Sequence, residues 1–87
     1  MNTFHLTLIS PEGKVYDAPA EAIVAPGEEG LFGVLAGHAV MVASLKAGDV
    51  KIAHGGTEEH WDILPGILEV NSQHNVLMLV DQAQKKA

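Results

Sequence analysis

Histidines and paired carboxylates are the residues here that could do chemistry. There are five histidines, His5, His38, His54, His60 and His74, and no cysteine. A metal site needs such ligands at short, fixed spacings, and neither a Cys-x-x-Cys nor a His-x-His pattern is present. His54 and His60 flank a glycine turn, where strand alternation sends them to opposite faces. They read as solvent-facing strand residues, and no metal ligand set is expected. The carboxylate pairs are Glu28-Glu29 and Glu58-Glu59. General acid–base work needs carboxylates held across a cleft in different environments. Both pairs sit beside glycines at turns, so they read as solvated loop charges. Gly30, Gly33 and Gly37 suggest a phosphate loop, but no Gly-Lys-Ser/Thr follows and the GxGxxG spacing is missing. Ser10, Ser44 and Ser72 lack a nucleophile elbow. No catalytic, cofactor-binding or metal-binding residue is assigned, and no cofactor is expected.

Composition narrows the classes further. Eighty-seven residues make one domain, with little room for a deep cleft beside its core. The formal net charge is −6, and all five basic residues are lysines. That cannot supply the basic stripe a nucleic-acid binder needs, nor a polybasic lipid anchor. Without arginine there is no bidentate phosphate clamp. No apolar stretch reaches the roughly 18–20 residues that span a bilayer, and the start MNTFHLTLIS does not read as a secretory signal. A small-molecule substrate is not expected either.

The elements that would position these residues are strands. Turn signals recur between short apolar segments: Pro11-Glu12-Gly13, Pro26-Gly27, Gly37, Gly48, Gly55-Gly56, Pro65-Gly66 and Asn71-Ser72. Phe4, Leu6 and Leu8 alternate with His5 and Thr7. Short strands are expected over 14–17, 21–25 and 40–45. For the central hairpin a four-residue loop, 55–58, is expected, because it sets Ile52 opposite Trp61, Val50 opposite Ile63 and Lys51 opposite Asp62. The run Val76-Leu77-Met78-Leu79-Val80 does not alternate in polarity, so both its faces should be covered, the second by a helix, a subunit or a loop of the same chain, or else by neighbouring side chains. The tail over 81–87 reads as helical or frayed. The expected fold is all-β: a two-layer antiparallel β-sandwich of roughly eight to ten short strands. Residues 1–82 would form the sandwich domain and 83–87 a C-terminal tail.

The chain also resembles a known family. The core of the likeness is Pro26-Gly27-x-x-Gly30-x-x-Gly33-Val34-x-x-Gly37-His38-Ala39, followed by Leu45-Lys46-x-Gly48, Gly66-x-Leu68-Glu69-Val70 and Asn75-Val76. Each piece alone is weak, whereas their order and spacing together are specific. They resemble the N-terminal β-sandwich domain of the rotary ATP synthase epsilon subunit, nearly end to end. Ala36 and Val40 stand where the family usually has prolines, Leu31 where an acidic residue is common, and Pro65 where glycine is usual.

The resemblance implies a rotor part with no reaction of its own, an accessory subunit in the central stalk. It would bind the gamma subunit and the membrane c ring, with proton flow turning the ring and torque passing to gamma. The implied c-ring contacts are Glu29, Gly30, Leu31, Phe32, Gly37, His38, Ala39 and Val40, and the implied gamma contacts are Ser10, Leu77 and Leu79. His38 also has a local alternative, capping its own loop. The family often continues into a C-terminal helical hairpin that can inhibit hydrolysis. The sequence ends at Ala87, which implies neither that inhibitory element nor its ATP site. The implied place is peripheral, on the cytoplasmic side of a bacterial inner membrane, within the ATP synthase complex. A stand-alone β-sandwich binding module is the alternative.

Overall fold

The computed structural model describes residues 2–87, and every regular element among them is a strand. In chain order these are β1 (Phe4–Ser10), β2 (Gly13–Ala20), β3 (Ala22–Gly27), β4 (Gly30–Leu35), β5 (Met41–Leu45), β6 (Gly48–His54), β7 (Thr57–Ile63), β8 (Gly66–Val70), β9 (Val76–Val80) and β10 (Ala83–Lys85). All ten belong to one continuous hydrogen-bonded sheet. The ladder between β3 and β5 is a single residue pair, Gly27 with Leu45. There the sheet turns, giving two layers: β4-β3-β6-β7-β10 and β5-β8-β9-β1-β2.

Alternation decides what each layer buries. Phe4, Leu6 and Leu8 of β1, Leu68 and Val70 of β8, and Val76, Met78 and Val80 of β9 face inward from one layer. Ile23 and Ala25 of β3, Val34 of β4, Val50 and Ile52 of β6, and Trp61 and Ile63 of β7 meet them from the other. β9 thus alternates in burial although not in polarity. Its outward residues are Leu77, half-buried, and Leu79, exposed. β1 pairs with β2 antiparallel and with β9 in parallel, the one parallel ladder among the described residues. β2 runs to Ala20, past the expected 14–17, and passes through Pro19. Proline lacks a ladder donor, but β2 is an edge strand, where that donor can be spared.

Three expectations are corrected. The central hairpin turns on two residues, Gly55 and Gly56, and its register is Val50 with Trp61, Lys51 with His60 and Ile52 with Glu59. Both glycines have positive φ, 57° and 80°, which matches the twist of the flanking strands. On polarity alone a two-residue turn wastes the apolar face, since it sets Glu59 opposite Ile52. In the folded chain the Trp61 and His54 ring N–H groups satisfy Glu59, so a carboxylate is tolerated beside the core. Secondly, between the strands expected over 21–25 and 40–45 the chain forms a further full strand, β4, paired with β3 from Ala22–Leu35 to Gly27–Gly30. Its inward residues are Phe32 and Val34, while Gly33 faces out beside the exposed Leu31 and Leu35, so no alternation of polarity marks the strand.

Thirdly, the tail is neither helical nor frayed. Ala83–Lys85 pairs with β7, Ala83 opposite Ile63 and Lys85 opposite Trp61, so the sheet runs past residue 82. An open edge of β7 carries backbone groups that need partners, and this tertiary demand outweighs the helix propensity of a short polar segment.

Candidate functional site

An apolar strip crosses the outer face of the β5-β8-β9-β1-β2 layer. Register places Ser44, Ile67, Leu79 and Ile9 side by side on β5, β8, β9 and β1. The next row is Val42, Glu69, Leu77 and Thr7. Directly paired strand residues bring their Cβ atoms to about 4.5–5.5 Å, so each row is continuous. Val42 is 68% exposed, Ile67 42% and Leu79 39%, with Ile9 and Leu77 half-buried among them. Beyond Ile9 and Thr7 the strip ends at Lys14 and Asp17 of β2. Strands β5, β8 and β9 thus present large apolar side chains to water, with one exposed carboxylate, Glu69, set between Val42 and Leu77 and further charges at the β2 rim.

Ser10, Leu77 and Leu79 are brought together, since Ile9 pairs with Leu79. Their side chains diverge, however. Ser10 is buried, and its Oγ accepts the Glu12 N–H at 3.2 Å, closing the β1–β2 turn, while Leu77 and Leu79 point outward.

The other set falls at the two ends of β4. Glu29 lies in the β3–β4 turn and Gly30 opens β4, with Leu31 and Phe32 just beyond. Gly37, His38, Ala39 and Val40 lie in the β4–β5 loop, roughly 20 Å away along a six-residue strand. Leu31 is 73% exposed, and Leu35, Val40 and Val42 are nearly as open. An open groove of about 500 Å³ runs beside the first group, lined by Glu28, Glu29, Leu31, Phe32, Val42 and Ser44 among others. His38 is tied into its own loop: its N–H donates to the Leu35 carbonyl at 3.2 Å and its Nδ1–H to the Ala39 carbonyl at 2.8 Å. The His74 ring donates to the His38 carbonyl at 3.3 Å, linking this loop to the β8–β9 turn.

The other histidines are matched to carboxylates. His54 Nε2 donates to Glu59 Oε2 at 2.7 Å and His60 Nδ1 to Asp49 Oδ2 at 2.9 Å. They lie on opposite faces, as alternation requires. Among the described residues no three His, Cys, Asp or Glu side chains are placed to hold a metal ion. Glu28 and Glu29 are exposed turn charges. Glu59 corrects the reading of its own pair. It lies within β7, its side chain 17% exposed, and accepts Trp61 Nε1–H at 2.8 Å. Glu59 and Trp61 stand two apart on one strand face, and that spacing is the signal sequence reasoning could have used.

Burial alone would push the Glu59 carboxyl up, but the hydrogen bonds from His54 and Trp61 and the charge of Lys85 outweigh it and hold it below its ordinary value. Asp49 follows the same logic, with burial opposed by His60 and Lys86. A carboxyl lowered on folding stabilises the protein above its unfolded pKa, and that stabilisation is lost as pH falls through the lower folded value. Thermal unfolding followed by circular dichroism should therefore show stability falling steadily below about pH 5. Glu59→Gln should start from a lower midpoint and lose less on acidification. An equal acid loss in wild type and variant would separate Glu59 from this effect.

Comparison with known proteins adds the following. Residues 3–86 match the sequence profile of a family described as "ATP synthase, Delta/Epsilon chain, beta-sandwich domain". An ATP synthase epsilon chain from a Bradyrhizobium species is 41% identical over 83 residues, covering 95% of this chain and 61% of the relative. The corresponding chain of Campylobacter fetus is 43% identical over 84 residues, covering 95% of this chain and 64% of its own length. The chain thus spans about three fifths of these relatives. In a cryo-EM structure of the Euglena gracilis mitochondrial ATP synthase, described as OSCP/F1/c-ring, one chain superposes with a TM-score of 0.91 at 29% identity, over 98% of this chain and 54% of that one. A chain of the Tetrahymena thermophila mitochondrial enzyme, in a central stalk and c-ring structure, shares the fold at a TM-score of 0.80 and 17% identity, over 93% of this chain and 65% of that one.

Proposed function

The chain belongs to the ATP synthase delta/epsilon-chain β-sandwich family, and on that footing we propose that it is a non-catalytic part of the central stalk that docks the gamma subunit to the membrane c ring. In this role it supports the coupling of ion flow to ATP synthesis, making and breaking no covalent bond. It works from a peripheral position on the cytoplasmic side of a bacterial inner membrane.

The outer apolar strip carries this reading. A contiguous patch of large apolar side chains on an otherwise ordinary surface marks an interaction site. Leu79 and Ile67 form its centre, with Val42 and Leu77 on either side of Glu69 in the neighbouring row, and gamma covers it. Ser10 adds its turn at the rim. The c ring meets the β3–β4 turn at Glu29, Gly30, Leu31 and Phe32, and the β4–β5 loop at Gly37, His38, Ala39 and Val40. Because these groups sit at opposite ends of β4, the ring contact is made at two separated points.

The test is capture of the purified chain on immobilised gamma, followed by offering the pair to detergent-solubilised c ring. Leu79→Asp should weaken gamma capture by about ten-fold or more, some 1.4 kcal/mol. His38→Ala should leave gamma capture intact and weaken the ring contact. If both variants capture both partners as well as wild type does, the interface assignment is wrong.

A further inference from the structure

The last strand is fastened differently from the other nine. β10 has one neighbour, β7, and places only Ala83 against the core. Its hold consists of backbone bonds and charge. The Leu64 N–H donates to the Gln82 carbonyl at 3.0 Å, and the Lys86 N–H donates to the His60 carbonyl at 2.8 Å. Between these, two consecutive lysines straddle β7. Lys85, opposite Trp61, reaches to 3.7 Å from Glu59 Oε1 on the core-facing side. Lys86 turns to the other face, 2.9 Å from Asp49 Oδ1 and 3.3 Å from Asp62 Oδ1.

The two ends of this hold are unequal. Its acceptors are fixed by the β6–β7 hairpin, Glu59 by His54 and Trp61, and Asp49 by His60. The lysine ends are long, flexible and about half exposed. Ion pairs of that kind are screened by salt, whereas the apolar contacts holding the other strands are not weakened that way.

We infer that β10 is a releasable strap: an edge strand clamped by charge across both faces of β7, able to open as a unit while the rest of the sandwich stays folded. Opening leaves the outer backbone edge of β7 unpaired and loosens the cover over Trp61. Whatever is joined to the C-terminal end of this strand is thereby tethered to the sandwich by a link that responds to ionic strength. This inference is independent of the docking surfaces above.

Amide hydrogen exchange resolved by residue tests it. The reporters are the Leu64 and Lys86 amides, with the Met78 amide in β9, paired on both sides, as the global standard. Leu64 and Lys86 should exchange about ten-fold or more faster than Met78, and faster again between 50 and 500 mM NaCl, as local opening and screening require. A Lys85→Met, Lys86→Met chain should exchange fast at Leu64 and at position 86 at low salt, with no further salt effect, while Met78 is unchanged. If Leu64 and Lys86 exchange at the Met78 rate at both salt concentrations, β10 opens only with the whole domain and the strap does not exist. Acceleration of Met78 together with them in the variant would equally overturn the inference.

Discussion

Gly66→Ala should leave the chain largely unfolded. A Cβ built on Gly66 would overlap the Leu79 carbonyl oxygen and lie 2.8 Å from the Leu79 carbonyl carbon and 2.7 Å from the Val80 Cα. All three atoms are backbone, so no rotamer change relieves the clash. β8 cannot simply step away from β9, because Gly66 pairs with Val80 on one side and Leu45 on the other. Moving it would misalign Leu68 with Met78 and disturb the ladder to β5. A forced rearrangement of this kind belongs with the largest single-residue effects, above about 4–5 kcal/mol. A domain of this length is stable by only about 4–13 kcal/mol in total. Urea unfolding followed by circular dichroism would show little or no folded baseline. A variant whose midpoint stays close to wild type would mean that the two strands are less tightly apposed than described.

The second large effect separates two neighbours on one strand. Met78 is fully buried, opposite Leu68 on β8 and Leu8 on β1, whereas Leu79 points outward from the same strand. Met78→Ala removes buried volume that close-packed neighbours refill only in part, and should cost about 2–5 kcal/mol. Leu79→Ala removes a side chain already 39% exposed and should cost well under half as much. In gamma capture the order should reverse: Leu79→Ala weakens binding, while Met78→Ala binds normally wherever it remains folded. Equal stability losses would mean that β9 is covered on both faces within the single chain, and would remove the docking strip.

How much of the fold is legible in the chain follows from where polarity carries information. β1 alternates in sequence, so its inward face is evident from Phe4, Leu6 and Leu8. β9 is apolar throughout, so its sequence asks for a second cover but cannot choose between Leu77 with Leu79 and Val76 with Met78. Only its neighbours β1 and β8 decide that. β4 is hidden because its exposed Leu31 and Leu35 leave no alternation of polarity, and its partner is fixed by the preceding turn. The central hairpin is misread when a carboxylate opposite Ile52 is counted as a loss. Two N–H donors from Trp61 and His54, invisible as partners until the register is known, reverse that balance. β10 escapes a sequence reading since its strand character comes from the open edge of β7 and hardly at all from its own residues. The proposed docking residues come from the order and spacing of short motifs, and the register then arranges Leu77 and Leu79 into a strip with Ile67 and Val42.

The parallel pairing of β1 with β9 also governs how the domain is made. Strand β1 is interior to its layer, and one of its two flanks is supplied by residues 76–79, far along the sequence from β1 itself. Until those residues emerge, a nascent chain holds a β1–β2 hairpin with one edge bare and Leu6 and Leu8 unsealed. Assembly is therefore a late event dominated by contacts distant in sequence, the kind that closes slowly and leaves sticky edges open meanwhile. Synthesis of this domain should accordingly lean on chaperones that shield exposed strands, even though the finished sandwich has its hydrophobic interior well enclosed.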